Sequence, residues 1–547
     1  MNFVRYIPHL RATLALGLPL VGSHLARMAI HVADTVMMGW YGVTELAALV
    51  IAVSFFNILF FLGMGFGIGV MGLIATAIAR GDEVEVRRSA RMALWLSVIY
   101  AVLVLPAMWY SGPILLAVGQ KPDVAQLAQD YLRIEGVGLI AVLCQLTLNS
   151  YLAAMERTQV VLWITLAGLP VVIFLNWVLI FGNMGMPEMG VRGAAIAAVV
   201  VQYVGLLAIA AYAAWLPVAR KYRLFQRFWR PDRAEMRAVF LLGLPIGLTM
   251  VAEGGLFVGS NVMMGWIGTR ELAAHGIALQ LASLTFMLHL GMSNAATVRV
   301  GQAKGRGDAL GMRDAGITVT VVSAVIAVLA VAAFELFPRQ LVGLYLDATH
   351  AETPAIIEIA AALLFYAGLF QLTDAMQVIG LGLLRGVQDT RVPMVIAAVS
   401  YWLVGIPVAY GLAFIAGIGP AGLWLGLVAG LTCAAVLLMR RFWRGLARGT
   451  GPAPRRRSSL SPSEIKRIAM RPVFVQFRCS PGKTYEVADA IYDREVVSEL
   501  YSTSGDYDLL AKIYVPEDQD VGRFLSENLF DIPGIVRTLT TITFKAF

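Results

Sequence analysis

Residues 16–40 read LGLPLVGSHLARMAIHVADTVMMGW, and residues 242–266 read LGLPIGLTMVAEGGLFVGSNVMMGW. The two stretches share their first four and last five letters at a constant separation of 226 positions (16 to 242). Two further strings recur at the same separation, ELAA at 45–48 and 271–274 and RGD at 80–82 and 306–308. A constant offset over four strings indicates that one unit was duplicated in this chain.

The duplicated unit is strongly apolar. Hydrophobic residues make up 59% of the 547 positions and charged residues 14%, and the mean hydropathy is +0.73, which excludes a chain that lies mostly in water. Runs of about 20 apolar residues, the length that crosses roughly 30 Å of hydrocarbon, occur twelve times. The first run is too long for a cleaved signal peptide and predicts a retained helix. The predicted spans are 12–38, 46–75, 92–111, 131–153, 159–182, 191–216, 238–266, 272–298, 315–337, 355–383, 393–415 and 420–439.

The predicted fold is therefore an all-α polytopic membrane protein with twelve transmembrane helices in two six-helix bundles. Because six is an even number, both copies have the same orientation and are related by an axis along the membrane normal. Two such halves form a cavity at their interface near the midplane, and rocking opens it to alternate sides, which is the architecture of a transporter. The sequence contains neither a channel filter motif nor a catalytic motif such as GxSxG, so we expect no enzyme activity.

Basic residues are concentrated in alternate loops. This bias predicts that both termini are cytoplasmic, in a membrane of the bacterial inner-membrane type. The net charge of +8 is explained by loops that face anionic lipid headgroups and requires no nucleic-acid partner. The three cysteines match neither a disulfide framework nor a zinc site. The basic residues assigned to cytoplasmic loops include Arg80, Arg87, Arg88, Arg91, Arg157, Arg299, Lys304, Arg306, Arg313, Arg385 and Arg391, and a run from Arg220 to Arg237.

Three ionisable residues lie within the first span. An ionisable group at the midplane costs roughly 2.5–3.5 kcal/mol on insertion scales, so each is a candidate for function. Arg27, His31 and Asp34 fall on one face of a helix. Two interpretations stay open: a self-neutralising ion pair between Arg27 and Asp34, or a proton or cation relay.

The second half contains two acids in apolar surroundings, Glu253 and Asp374, with no obvious Lys or Arg partner in the same half. Two carboxylates in a low dielectric repel, so they must share a proton or bind a cation, and a hard cation such as Na⁺ prefers oxygen ligands. The repeat offset makes Glu253 the equivalent of Arg27, which suggests that Arg27 contacts Glu253 across the central cleft in one conformation.

Other polar and bend-forming residues are weaker candidates. Asn176 can ligate a cation or satisfy a neighbouring helix, and Gln280 and Gln371 are similar cases. Pro19 and Pro245 occupy matching repeat positions and predict a bend in the first helix of each half, because proline removes an intrahelical hydrogen bond.

Several strings together resemble the multidrug and toxic compound extrusion (MATE) family in its NorM-like branch. They are LGLP (16–19), ADTVMMGW (33–40), LNWVLIFG (175–182), GMPEMGVRGAA (185–195), ELAAHGIALQLASLTF (271–286), VRVGQAKG (298–305), TDAMQVIGLGLLRGVQDT (373–390) and SYWLVGIPVAYGL (400–412). The resemblance covers residues 10–440. It implies a V-shaped central cavity and export of organic cations or drugs, driven by inward Na⁺ or H⁺ and without a cofactor.

The resemblance also implies roles for particular residues. Asp34 matches the coupling acid of the family's N-terminal bundle, and Glu253 and Asp374 match the acids of its C-terminal cation site. Phe370 stands where the NorM-like pattern usually has a tyrosine, so a hydroxyl ligand for Na⁺ is missing here. Arg27 and His31 are atypical for the family.

The last hundred residues differ in composition. The predicted organisation is a bundle at 1–219, a connecting loop at 220–237, a second bundle at 238–443, a basic linker at 444–469 and a soluble domain at 470–547. Alternating apolar residues, beginning at Val473, predict the order βαββαβ of a ferredoxin-like α+β domain.

This order, with the string STSGDYDLLAKIYV (502–515), resembles the effector-binding domain of Lrp/AsnC regulators. The resemblance implies homodimerisation through the sheets and a small-ligand site near Gly505, Asp506 and Asp508. A merely structural domain is the alternative.

Two other functions for the whole chain stay open. A lipid-linked oligosaccharide flippase shares the broad architecture, although its central cavity is usually more basic. A membrane-bound sensor would use residues 470–547 as its functional part.

Overall fold

The structure, a computed structural model, describes residues 3–215, 222–226, 228–346, 352–448, 470–494, 496–516 and 519–542. Met1–Pro452 and Ala453–Phe547 form two compact units, each with buried apolar cores of its own. The predicted linker at 444–469 lies outside the described residues from position 449 onward. Residues 216–219, at the end of the predicted first bundle, also lie outside the described residues. The same holds for residues 220, 221 and 227 of the predicted connecting loop.

Twelve of the described helices are long and apolar enough to cross a membrane, and each coincides with one predicted span. They are α1 (Phe3–Tyr41), α2 (Val43–Arg80), α3 (Glu83–Trp109), α5 (Pro122–Ala154), α6 (Thr158–Leu179), α7 (Val191–Trp215), α8 (Arg233–Ile267), α9 (Thr269–Gly305), α10 (Ala309–Leu336), α12 (Thr353–Gly386), α13 (Arg391–Ile415) and α14 (Pro420–Ala447). Two short helices, α4 (Ser111–Ala117) and α11 (Pro338–Gly343), lie in connections.

The duplicated RGD strings form the same turn in both halves. Gly81 and Gly307 have φ of 75° and 70°, the left-handed conformation that glycine adopts without strain after a helix. The aspartates that follow cap the next helix: the Asp82 side chain accepts from the Glu85 amide at 2.8 Å, and the Asp308 side chain accepts from the Gly311 amide at 2.7 Å. The repeat therefore preserves a helix stop followed by a helix start.

The halves meet through glycines on the side of the membrane where these turns lie, here called the basic side. A Cβ added to Gly65 of α2 would lie 2.3 Å from the Gly243 carbonyl of α8, and one added to Gly247 would lie 2.3 Å from the Leu62 carbonyl. A Cβ on Gly72 would lie 2.6 Å from the Arg385 carbonyl of α12. Backbones in such close contact require glycine, as in many membrane helix interfaces.

Polar contacts across the halves also lie toward the basic side. Arg5 near the start of α1 forms an ion pair of 2.6 Å with Asp314 of α10. The Thr76 hydroxyl of α2 donates to the Gly301 carbonyl of α9 at 3.1 Å. The two halves are therefore joined, and the cleft between them is closed, on this side.

Pro19 and Pro245 lie inside α1 and α8, and both helices continue through them. The carbonyl of each proline accepts a hydrogen bond of 2.8 Å from a hydroxyl one turn later, Ser23 in α1 and Thr249 in α8. The two repeats thus keep the same local arrangement, and the bends themselves stay predictions.

The C-terminal unit confirms the βαββαβ order. Its elements are β1 (Met470–Cys479), α15 (Thr484–Asp493), β2 (Val497–Ser502), β3 (Leu509–Pro516), α16 (Val521–Asn528) and β4 (Ile535–Ile542). The strands form an antiparallel sheet in the order β2-β3-β1-β4. Alternate residues of β1 and β3 are buried, which explains why the period-two pattern predicted these strands. The sequence pattern predicts the last strand at 535–546, and its residues 543–546 lie outside the described residues.

Candidate functional site

The first cluster of buried polar groups lies within the N-terminal half. Asp34 of α1 is buried, and its Oδ1 accepts a hydrogen bond of 2.6 Å from Nδ2 of Asn176 in α6. The structure thus brings together two residues that the sequence singled out separately. A short hydrogen bond to a buried carboxylate fixes its orientation and leaves its other oxygen available for a proton or cation.

The same cluster contains an acid that the sequence analysis missed. Glu135 of α5 is 3% exposed, and its Oε1 accepts from Nε2 of Gln202 in α7 at 2.7 Å. It lies close enough to Asp34 for electrostatic interaction. The rule that singled out Asp34, an ionisable residue within an apolar span, also applies to Glu135 and would have found it.

The positions of Arg27 and His31 do not fit one of the two interpretations of the first span, the ion pair between Arg27 and Asp34. Asp34 takes its hydrogen bond from Asn176, and the described residues show no ion pair between Arg27 and Asp34. Arg27 is half-buried and His31 is exposed. The self-neutralising pair is therefore not formed in this structure.

The second cluster lies within the C-terminal half and contains Glu253 of α8 and Asp374 of α12. Both side chains are buried and lie close enough to interact electrostatically. Neither oxygen of Asp374 has a hydrogen-bond partner among the described residues, and Oε1 of Glu253 also has none. A buried carboxylate without a donor is costly, so the pair requires a proton or a cation.

Arg385 corrects two expectations from the sequence. It was assigned to a cytoplasmic loop, but it lies in the last turn of α12 and is buried. It was also overlooked as a partner, whereas it lies close enough to Glu253 for electrostatic interaction. In this conformation Arg385, rather than Arg27, is the basic residue that interacts with Glu253.

The charges of this second cluster suggest how many cations it binds. Two ionised carboxylates and one guanidinium carry a net charge of −1, which one proton or one Na⁺ neutralises. No group of three His, Cys, Asp or Glu residues in the described part of the chain could hold a metal ion. A Na⁺ at Glu253 and Asp374 would therefore need amide or hydroxyl oxygens as further ligands.

Two such oxygens lie nearby. Nε2 of Gln377 donates to the Tyr401 hydroxyl at 2.5 Å, and the Gln377 Oε1 has no partner among the described residues. Tyr401 lies in Val399–Gly405, a π-helical stretch of α13, and is close to both acids. Such stretches are frequent at functional sites. The Tyr401 hydroxyl is thus a candidate replacement for the hydroxyl missing at Phe370.

Phe370 forms part of an aromatic layer beside Asp374. Its ring makes edge contacts with Phe257, at 6.1 Å between centroids, and with Trp424, at 5.7 Å. Trp424 also contacts His275, whose Nε2 is 3.3 Å from the hydroxyl of Ser260, the repeat equivalent of Asp34. Phe370 and Trp424 are both buried and belong to the apolar core of this half.

The structure also places the two glutamines that the sequence analysis singled out. The Gln371 amide donates to the Ala282 carbonyl at 3.2 Å and so links α12 to α9. Gln280 is half-buried, and among the described residues no hydrogen bond links it to the acid cluster.

In the C-terminal unit, the turn that contains Gly505 and Asp506 is held against the end of β1. Gly505 has φ of 129°, and Oδ2 of Asp508 accepts from the Cys479 amide at 2.7 Å. Burial and the nearby Asp508 carboxylate raise the pKa of the Cys479 thiol. Asp508 therefore supports the turn, and Asp506 is exposed.

The comparisons with known proteins match the membrane unit and the C-terminal unit to two different families. The MatE family model matches residues 19–178 and 245–411, and the Lrp/AsnC ligand binding domain model matches residues 472–547. Two relatives are named probable multidrug resistance protein NorM. The one from Rhizobium meliloti (strain 1021) is 44% identical over 80% of this chain and 94% of its own length. The one from Agrobacterium fabrum (strain C58 / ATCC 33970) is 42% identical over the same shares.

Solved structures support the fold of the membrane unit. An outward-facing multidrug resistance MATE transporter of the MOP superfamily superposes with a TM-score of 0.74 at 21% identity, over 81% of this chain and 96% of that one. The eukaryotic MATE transporter AtDTX14 gives 0.72 at 20% identity, over 81% and 99%.

Proposed function

Because the chain belongs to the multidrug and toxic compound extrusion family, we propose that it exports organic drugs in exchange for an inward-moving monovalent cation, H⁺ or Na⁺. Glu253 and Asp374 bind the coupling cation in the C-terminal half. Asp34, held by Asn176, supplies a second coupling carboxylate in the N-terminal half.

The observation that carries this proposal is the pair of buried acids with unpaired oxygens. Leaving them ionised is unfavourable in a low dielectric, so a cation that enters the cluster changes its free energy substantially. A ligand shifts a conformational equilibrium only through such a difference in binding between two states. Cation binding at this cluster can therefore drive one half against the other.

The direction of transport depends on orientation. The bias of basic loops supports cytoplasmic termini in a bacterial inner membrane. The basic side, where Arg5 pairs with Asp314, is then cytoplasmic, and the structure corresponds to the state that is closed to the cytoplasm. A drug in the central cleft would leave toward the outside, and the inward-moving cation would supply the energy.

The coupling ion is tested by ethidium efflux in vesicles that carry the full chain. We expect efflux to be driven by an imposed inward gradient of either Na⁺ or H⁺, and to cease when the effective gradient is collapsed by an ionophore. Vesicles without the protein provide the control. Equal efflux with and without either gradient would contradict ion-coupled export.

We further propose that the C-terminal unit senses a small ligand and dimerises through its sheet. Its match to the Lrp/AsnC ligand binding domain and the exposed apolar side chains of the sheet, among them Tyr501 and Leu539, support this. If the unit is regulatory, a chain that ends at residue 448 should retain efflux but lose any response to added amino acids. Ligand binding by a full chain that exports nothing would favour the membrane-bound sensor instead.

A further inference from the structure

A small cavity lies between α8 and α12, toward the basic side from the two acids of the C-terminal half. Ile246 and Thr249 line it from α8, and Leu381 and Arg385 line it from α12. It has room for about one water molecule. A water molecule and a monovalent cation are similar in size, so the cavity fits either one.

The cavity and the acids share the same faces of these two helices. The cavity residues of α8 precede Glu253 by seven and four positions, and those of α12 follow Asp374 by seven and eleven positions. At 3.6 residues per turn, these spacings place each set on one side of its helix. Because α8 begins and α12 ends on the basic side, the cavity continues from the acid pair toward that side.

Arg385 is the charged group in this cavity. It is buried, it lies close enough to Glu253 for electrostatic interaction, and its Nη2 has no hydrogen-bond partner among the described residues. The side chain starts in the last turn of α12 and reaches toward the acids, so its charge lies between them and the basic side. A fixed positive charge on a narrow route is a barrier to a passing cation.

The connection that follows α12 closes the cavity on the basic side. Asp389 lines this end and forms an ion pair of 2.6 Å with Arg441 of α14. The neighbouring Gln388 donates to the Thr76 hydroxyl of α2 at 3.3 Å. Gln388 has φ of 63°, a conformation that is costly for a residue other than glycine and persists where surrounding contacts hold it. Since Thr76 belongs to the other half, this closure depends on the halves being joined on the basic side.

We propose that the coupling cation leaves the acid pair for the basic side through this cavity, and that Arg385 is the electrostatic gate of the route. While the halves are joined on this side, its charge blocks the cation. When they separate, Gln388 loses its contact with α2, and the Arg385 side chain turns from Glu253 to Asp389. It takes the place there of the partly exposed Arg441, so the cation passes a neutral pair. The inference rests on the export function proposed above and assigns a release route to its coupling cation.

Leak of the cation in the absence of drug tests this gate. The full chain is reconstituted in liposomes, a gradient of Na⁺ or H⁺ is imposed, and its dissipation is followed with an ion-sensitive dye inside the liposomes. The wild-type chain should hold the gradient. Arg385→Gln should dissipate it about tenfold faster or more, because the repelling charge is gone. Arg385→Lys keeps the charge and should hold the gradient, which a merely structural role of the guanidinium does not predict.

Gln388→Gly is a second variant that leaves the arginine in place. Glycine adopts this φ without strain, so the variant should fold, and loss of the contact with Thr76 should accelerate the leak. This variant decides the question if Arg385→Gln does not fold. Arg391→Gln is the matched control and should hold the gradient, because Arg391 is exposed and lies two residues beyond Asp389.

Two results would overturn the gate. One is a folded Arg385→Gln or Gln388→Gly chain that holds the gradient as well as the wild type. The other is an Arg385→Lys chain that leaks as fast as Arg385→Gln. The assay contains no drug, so its outcome is separate from the efflux test: ion-dependent efflux together with tight variants would refute the gate alone, and efflux without ion dependence would refute the antiport mechanism.

Discussion

Replacing Asp374 by Asn is expected to abolish ion-driven efflux and leave the fold intact. Neither oxygen of this buried carboxylate has a hydrogen-bond partner among the described residues, so the substitution breaks no such bond. It removes the charge that the coupling cation neutralises. We expect gradient-driven ethidium efflux to fall by at least about tenfold, equivalent to about 1.4 kcal/mol of coupling, with no fall in the thermal unfolding temperature.

Glu253→Gln should differ from Asp374→Asn in its effect on stability. It removes the acid that interacts with buried Arg385, and a buried charge left without its partner is strongly destabilising. Efflux and unfolding temperature should therefore both fall.

Glu358→Gln is the control on the same helix as Asp374, because Glu358 is 64% exposed and pairs only with exposed Arg339 among the described residues. Full driven efflux by Asp374→Asn would refute the coupling proposal.

A single methyl group between the halves is expected to impair transport strongly. In Gly65→Ala the new Cβ would lie 2.3 Å from the Gly243 carbonyl and 2.4 Å from the Gly247 amide nitrogen, and helix backbone cannot rotate away as a side chain does. Overpacking costs about 1–3 kcal/mol, here only in the state closed on the basic side. The closed state should become roughly five- to 150-fold less populated, and driven efflux should fall accordingly.

Thiol labelling reports this shift in population directly. Thr76 is fully buried at the interface, so Thr76→Cys in a background without the native cysteines should react slowly with a polar maleimide. Gly65→Ala should accelerate that reaction from the basic side. Gly276→Ala is the control, because its Cβ would meet nothing within 4 Å. Unchanged labelling together with wild-type efflux in Gly65→Ala would show that this interface does not form the seal.

The fold was largely predictable because each of its signals is local. Twelve apolar runs predict twelve helices, since a backbone in hydrocarbon must satisfy its hydrogen bonds within its own segment. The turns at the RGD repeats, which the sequence analysis used only as evidence of duplication, also depend on local residues, Gly81 and Asp82. The alternation in β1 likewise predicts which residues of that strand are buried.

The site was less predictable because its partners are distant in the chain. Asp34 and Asn176 were each singled out, but their hydrogen bond joins residues 142 positions apart. Arg385 looked like a loop residue because apolar sequence gives way to polar sequence just beyond it. Burial at a helix end depends on which neighbours cover that end, and the linear pattern does not contain this information.

By itself, the sequence determined the twelve spans, the duplication, the ferredoxin-like unit and the acids Asp34, Glu253 and Asp374, because periodicity, composition and the cost of a charge in lipid are properties of each segment alone. Only the tertiary structure decided which charges face one another. It placed Arg385 rather than Arg27 beside Glu253, added Glu135 to the N-terminal cluster, and left Arg27 without an ion pair to Asp34 among the described residues. The physical reason is that electrostatic interaction depends on distances of a few ångströms between helices, which only the packing of the two halves sets.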